Sequence, residues 1–267
     1  PLKPGDRIAG QFRLRYTNQP ENTTYHRGNG ILLLGYPRGQ VNTQPCEEIP
    51  LRYVPALLRQ KLIGILENTF PTDTAFFAKA LLLGDRTDMD YETNTAFKVS
   101  GISHIIAVSG LHVSILFSLV YLIAGKRRVM TVLLGIPTIL LFAAVAGFTP
   151  SITRACLMQL LMLLALLLKK EYDPPTALSV AALVMLVLQP MVITSASFQL
   201  SVGCMIGIFA FSEPLRQYIL SFGKLKEKSK GKSLKAKIIR WTTGSVAVTL
   251  SAMVVTTPLC AIHFGMI

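Results

Sequence analysis

Hydrophobic and polar positions change rhythm twice along this chain. They alternate singly through Arg7-Ile-Ala-Gly-Gln-Phe-Arg-Leu-Arg-Tyr16, the period of a half-buried strand. Asn18-Gln-Pro20 interrupts the pattern, and Gly30-Ile-Leu-Leu-Leu-Gly-Tyr36 predicts a second strand. Gly5-Asp6 and Gly28-Asn-Gly30 are turn punctuation, so residues 1–45 read as a small β barrel or sandwich, incomplete at its start. The period then lengthens to 3.6 residues over 54–70, and a second amphipathic helix follows at Thr74–Leu83, ended by Gly84-Asp85-Arg86. Both helices are too polar or too short to span a bilayer and are expected along its interface or against a bundle. A polar helix is predicted over Asp88–Ala96.

From His104 onward the apolar runs become long enough to cross a hydrocarbon core, which takes roughly 20 helical residues. Six spans are predicted, near 104–124, 129–148, 152–168, 175–193, 197–212 and 240–265. The expected fold is a polytopic α-helical membrane protein with a small β domain (1–45), amphipathic helices and linker (46–100) and a transmembrane domain (101–267).

Composition agrees: 51% of residues are hydrophobic, 15% are charged and mean hydropathy is +0.48. The net charge of +13 suggests nucleic acid only until it is located. Residues 1–103 carry a balance of +2 and residues 104–267 a balance of +11. That excess sits mainly in Lys126-Arg127-Arg128, Lys169-Lys170 and the stretch from Arg216 to Arg240. Basic loops are the ordinary mark of the cytoplasmic side, and these three orient all six predicted spans one way, with residues 1–103 outside. The lysine-dense segment Lys224–Lys237 is explained first by anionic lipid and topology, with DNA or an acidic partner as the alternative. Pro1 in place of Met, and an ending just past an apolar run, suggest a piece of a longer protein. Cys156, Cys204 and Cys260 read as small buried hydrophobes. Cys46 stands alone in the polar part and, if external, has a disulfide open to it.

The polar groups inside the apolar runs carry the candidate chemistry, because such groups are costly at membrane depth and favour a bundle interior or a wet path. In Gly101-Ile-Ser-His104-Ile-Ile-Ala-Val-Ser109-Gly110-Leu-His112, a continuous helix would place His104, Ser109 and His112 at about 0°, 140° and 80°, one broad polar face. The plainer reading is hydrogen bonding between helices, with Gly110 allowing close approach. A Ser109–His112 hydrolytic pair lacks a G-x-S-x-G elbow and visible oxyanion donors, and no zinc-ligand spacing involves His104, His112 and Asp85. Gly147-Phe-Thr-Pro150-Ser-Ile-Thr-Arg154 reads as a break and a new helix start, with Thr149 or Ser151 as cap. Arg154 is then either a snorkelling cation or a phosphate-attracting group at the outer mouth. Gln159, Gln199 and Ser201 are read by default as contacts between helices.

Five blocks, in order, resemble the ComEC family of competence proteins: Leu82-Leu-Gly84-Asp85-Arg86, Gly101–Ser114, Ala146–Met158, Phe198-Gln199-Leu200-Ser201, and Thr257-Pro258-Leu259 through His263-Phe264-Gly265. The resemblance implies a channel taking up single-stranded DNA in naturally transformable bacteria. It makes His104, Ser109, Gly110, His112, Arg154, Gln159, Gln199 and Ser201 the transport candidates. Gly84, Asp85, Arg86, Gly147 and Pro150 become structural positions. It further implies that residues 1–45 are the tail of an OB-like domain, where Arg13, Arg15 and Tyr16, with Phe12 and Tyr36, are candidates for DNA contact. No cofactor is implied, and no catalytic or metal-binding role for these residues. The implied partners are single-stranded DNA, membrane lipid, a cytosolic ATPase or helicase (the chain has no P-loop), outer DNA-receptor proteins and a second copy of the chain. Relatives often end in a metallo-β-lactamase-like domain, so nuclease activity is not expected of this segment. The alternatives are a transporter of another anionic polymer or solute and, more remotely, an intramembrane hydrolase.

Overall fold

The computed structural model describes residues 5–16, 31–44, 50, 53–85, 89, 92–93, 95, 109–125, 127–221 and 234–264. These divide into two units, Pro1–Tyr172 and Asp173–Ile267.

In the first unit, β1 (Arg7–Tyr16) pairs antiparallel with β2 (Leu33–Gln44). The second strand starts later than its apolar run suggested and continues past Pro37 to Gln44. Between the pairs Ala9–Asn42 and Gln11–Arg38 the register shifts, because β2 carries extra residues there. Gly39 lies in that shift at φ 86°, a left-handed value that glycine adopts without strain. Among the described residues the sheet has these two strands, and β1 is exposed along its whole length.

Two amphipathic helices follow as the periodicity predicts, α1 (Val54–Thr69) and α2 (Thr72–Leu83). Gly84 closes α2 in the left-handed conformation at φ 69°. The charged lock between them is Lys79 Nζ on Glu67 Oε1 at 2.7 Å, with Lys79 buried. Both helices touch the long apolar helix over 128–146, so they pack on the bundle. The expected helix at 88–96 falls largely outside the described residues.

The rest of the unit is built from α3 (Gly110–Ile123), α4 (Arg128–Ala146) and α5 (Pro150–Leu168). Their shared core contains Val113 from α3, Ile139 and Ala143 from α4, and Ile152, Cys156 and Leu163 from α5. Gly135 lets α4 meet α5 closely, since a Cβ there would stand 3.0 Å from Leu163. Gly147 ends α4 at φ 81° and Pro150 opens α5 as its first helical residue, as the Gly-Phe-Thr-Pro break requires.

The second unit comprises α6 (Pro174–Leu188), a short 3-10 turn (Pro190–Thr194), α7 (Ala196–Ser221) and α8 (Leu234–Phe264). Asp173 caps α6 by accepting from Thr176 N at 3.1 Å. The span expected at 175–193 is divided at Pro190, which has no N–H to continue the ladder. In contrast, α7 continues past the predicted 212 to Ser221, and α8 begins at Leu234, ahead of the predicted 240. In α7 the extra turns hold the i,i+3 pair Glu213–Arg216, with contacts of 2.8 Å and 2.9 Å.

Helices α4, α5, α7 and α8 are long and apolar enough to cross a membrane. The shorter apolar α3 and α6 rise only about 21 and 22 Å along their axes. Among the described residues, then, four of the six expected spans reach full length.

Candidate functional site

Of the transport candidates, Ser109, Gly110, His112 and Arg154 gather in the first unit and Gln199 and Ser201 lie in the second. The first four occupy one end of the α3–α4–α5 group. Ser109 is extended (φ −128°, ψ 175°) and stands as the N-cap of α3, so helix begins at Gly110 rather than near 104. This corrects the continuous helical face expected for His104, Ser109 and His112, and His104 itself lies outside the described residues. The local cause is an acceptor three residues ahead: Ser109 N–H donates to His112 Nδ1 at 3.2 Å, the part a glutamate plays in the usual capping box. Accepting that bond requires Nδ1 to be unprotonated, which puts the ring proton of the neutral imidazole on Nε2. Ser109 Oγ stands 3.5 Å from the same Nδ1, too long for a firm hydrogen bond. The ring nitrogen facing the serine is therefore occupied by a backbone cap, a poor arrangement for a general base.

Gly110 is the point of contact between helix ends. A Cβ at this position would lie 3.3 Å from Ala155 Cβ and 3.7 Å from Arg154 Nη2, so α3 enters against the first turns of α5. Arg154 also points an N–H at Met158 Sδ across 3.5 Å, one turn along its own helix. Thr149 is the N-cap of α5 by position, and Thr153 N–H donates to its backbone oxygen at 2.8 Å. Helix N-termini carry partial positive charge, and neither α3 nor α5 has an acidic residue in its first turn. Two such ends and the Arg154 guanidinium thus gather at one place.

Sequence reasoning missed Arg59 in this cluster. From α1, 86 residues away, its Nη1 donates to Val145 O at 3.1 Å in the last turn of α4. Of the predicted structural positions, Gly84, Gly147 and Pro150 hold the helix boundaries described above. Asp85 N–H donates to Lys79 O at 3.2 Å as part of the α2 ending, and Arg86 lies outside the described residues. Gln159 sits half-buried in the middle of α5.

The second cluster lies along the α7–α8 seam. Gly203 and Gly207 form a G-x-x-x-G pattern whose spacing was available in the sequence and went unread. A Cβ at Gly207 would fall 2.6 Å from Ser251 O and 2.9 Å from Val255 Cγ2, and one at Gly203 would fall 2.9 Å from Leu259 Cδ1. Small residues thus bring the two backbones together. A polar lock closes the seam: His263 Nε2 and Gln199 Oε1 are 2.8 Å apart. Gln199 Nε2 donates to Ile193 O at 2.8 Å, which identifies Oε1 as the acceptor and His263 Nε2–H as the donor. Ser201, half-buried, lies on the same helix two residues beyond Gln199.

On the hairpin, cross-strand register separates the candidate DNA contacts. Arg13 pairs with Tyr36 and Gln11 with Arg38, so Arg13, Arg15, Tyr36 and Arg38 share a face. Arg15 Cζ stands 5.9 Å from the centre of the Tyr36 ring. Phe12, Leu14 and Tyr16 project from the other face, so Tyr16 is separated from the two arginines with which it was grouped.

Among the described residues no three histidine, cysteine or carboxylate side chains gather as a metal site would require. Glu213 is the only carboxylate within the six helices from α3 to α8, and Arg216 neutralises it.

A family model described as "Competence protein" matches residues 81–267. The chain is 31% identical over 189 residues to ComE operon protein 3 of Bacillus subtilis (strain 168), covering 68% of this chain and 24% of that protein. It is 25% identical over 166 residues to Recombination protein 2 of Haemophilus influenzae, covering 57% of this chain and 21% of that protein. The chain thus spans less than a quarter of the length of either curated relative. No solved structure matches it.

Proposed function

Because this chain belongs to the competence protein family, we propose that it forms part of a membrane channel bringing single-stranded DNA into a naturally transforming bacterium. One observation carries the reading: Arg154 lies against Gly110 where the N-termini of α3 and α5 meet, in helices without an unpaired carboxylate. A strand bears one phosphate charge per nucleotide, and moving ions into a medium of low dielectric constant is prohibitive. It must therefore travel through a hydrated path whose fixed charges are neutral or positive. In this reading Arg154 and the helix ends attract the phosphates at the mouth. Within the first unit His112 and Gln159 supply polar lining, while Ser109 acts as a helix cap.

The full arrangement has six spans, with α3 and α6 as the two short ones. The basic loops face the cytoplasm, which puts the hairpin and the α4–α5 turn outside the bacterial inner membrane. Arg13 and Arg15, beside Tyr36 on one hairpin face, suit a single strand better than Tyr16 does, because stacking and phosphate contact then come from the same side. An OB-like domain completed by further strands, a cytosolic ATPase or helicase, outer DNA receptors and a second copy of the chain complete the machine. The chain itself acts as a conduit and not as an enzyme.

The alternative hydrolase reading is disfavoured by the backbone N–H on His112 Nδ1. The test is transformation of a competent host whose resident protein is replaced by the full-length Arg154→Ala variant. Transformation is expected to fall while the protein stays in the membrane at normal abundance. Unchanged transformation would remove Arg154 from the path.

A further inference from the structure

We propose that Arg59 is a positioning residue of the translocation path, holding the α4–α5 turn and with it the first turns of α5 that carry Arg154. The proposal rests on the uptake reading above.

Val145 lies in the last turn of α4, where carbonyls lose their intrahelical donors. Gly147 N–H and Phe148 N–H both turn back to Ala143 O, at 3.0 Å and 3.1 Å, leaving Val145 O beyond their reach. Arg59 Nη1 meets it at 3.1 Å. A guanidinium suits this position on two grounds. It opposes the negative end of the α4 dipole, and its fork leaves other N–H groups to act while one is engaged. Gly147 is two residues beyond Val145, and a Cβ there would stand 3.7 Å from the same Nη1. Thr149, two residues on, is the N-cap of α5.

The helix that delivers Arg59 is anchored elsewhere. Two turns further along α1, Glu67 accepts from the buried Lys79 of α2 at 2.7 Å. Tied at one point to α2 and at another to the end of α4, α1 is a strut. Release of Arg59 would free the turn while leaving the α1–α2 pair intact. This assigns the amphipathic helix a role in fixing the mouth of the path, and it makes Arg59 act through Arg154 rather than on DNA directly.

The experiment compares wild type, Arg59→Met, Arg59→Lys and Arg154→Ala as full-length protein in lipid vesicles. It measures amide hydrogen exchange at residues 147 and 148, whose N–H groups donate to Ala143 O, and entry of labelled single-stranded DNA under an inward driving force. Loss of a charge-assisted hydrogen bond in Arg59→Met should raise exchange at those amides about tenfold or more, with the centres of α4 and α5 unchanged. DNA entry should fall in Arg59→Met and return largely in Arg59→Lys, whose ammonium can still donate to the carbonyl. Unchanged exchange in Arg59→Met overturns the contact. Faster exchange with normal entry, where Arg154→Ala blocks entry, overturns the positioning role. Failure of the uptake reading has a different signature, namely that the wild-type protein itself admits no DNA, and that result removes both.

Discussion

His263 Nε2–H donates to Gln199 Oε1 over 2.8 Å, joining the last turn of α8 to the first turn of α7 across 64 residues of sequence. Gln199 simultaneously ties the preceding 3-10 turn through Ile193 O. A single amide thus fixes three segments of the second unit. Gln199→Leu should destabilise the detergent-solubilised protein by about 1 kcal/mol, in keeping with interhelical hydrogen bonds in membranes. His263→Ala combined with Gln199→Leu should cost less than the two single changes together. Fully additive losses in thermal unfolding would show that the pair is not coupled.

The glycine seam makes a graded prediction. At Gly207 an added methyl meets the backbone oxygen of Ser251 at 2.6 Å, which can yield only if the helices separate. Gly207→Ala should therefore cost about 1–3 kcal/mol. Gly203→Ala should cost less, because its nearest neighbour is the mobile tip of Leu259. Gly244→Ala, with nothing within 4 Å of the new methyl, should be neutral or stabilising by up to about 1 kcal/mol. Melting temperatures in one detergent would rank the three, and a different order would contradict the close crossing.

Ser109→Ala separates conduit from hydrolase. Alanine keeps the backbone N–H that His112 Nδ1 accepts, so Ser109→Ala should cost no more than about 1 kcal/mol and leave transformation largely intact. A serine nucleophile could not be replaced by alanine without losing the whole activity. Transformation assays on an abundance-matched variant decide between the two.

Gly110→Leu should abolish DNA uptake without preventing membrane insertion. Even the first added carbon would lie 3.3 Å from Ala155 Cβ and 3.7 Å from Arg154 Nη2, so a leucine must push α3 away from α5 or displace the guanidinium. Normal uptake by this variant would show that the helix junction is not part of the path.

Much of the fold can be read from the residues in order. Single-residue alternation marks β1, the 3.6-residue period marks α1 and α2, and Gly147 with Pro150 marks the α4–α5 break. What escapes is set by competition between signals. The apolar run through 104–124 hides the start of α3, because a histidine rather than a glutamate completes the cap at Ser109. Charged residues suggested a loop after 212, yet Glu213 and Arg216 neutralise each other on the surface of a continuing helix. Long-range contacts left no local trace: neither Arg59 on Val145 O nor His263 on Gln199 can be deduced from spacing. The G-x-x-x-G seam was legible, and its four-residue spacing matches that of Ser251, Val255 and Leu259 on the facing helix.

On the proposed function, single-stranded DNA passes Arg154 and the N-termini of α3 and α5, whose first turns carry no acidic residue. The most direct measurement places the full-length protein in sealed liposomes, adds a fluorescent single-stranded oligonucleotide outside with an inward driving force, and then digests all external DNA. Nuclease-protected fluorescence should accumulate with the wild-type protein and should fall sharply with Arg154→Ala. Fluorescence no greater than in protein-free liposomes, or equal accumulation with both proteins, would contradict the account.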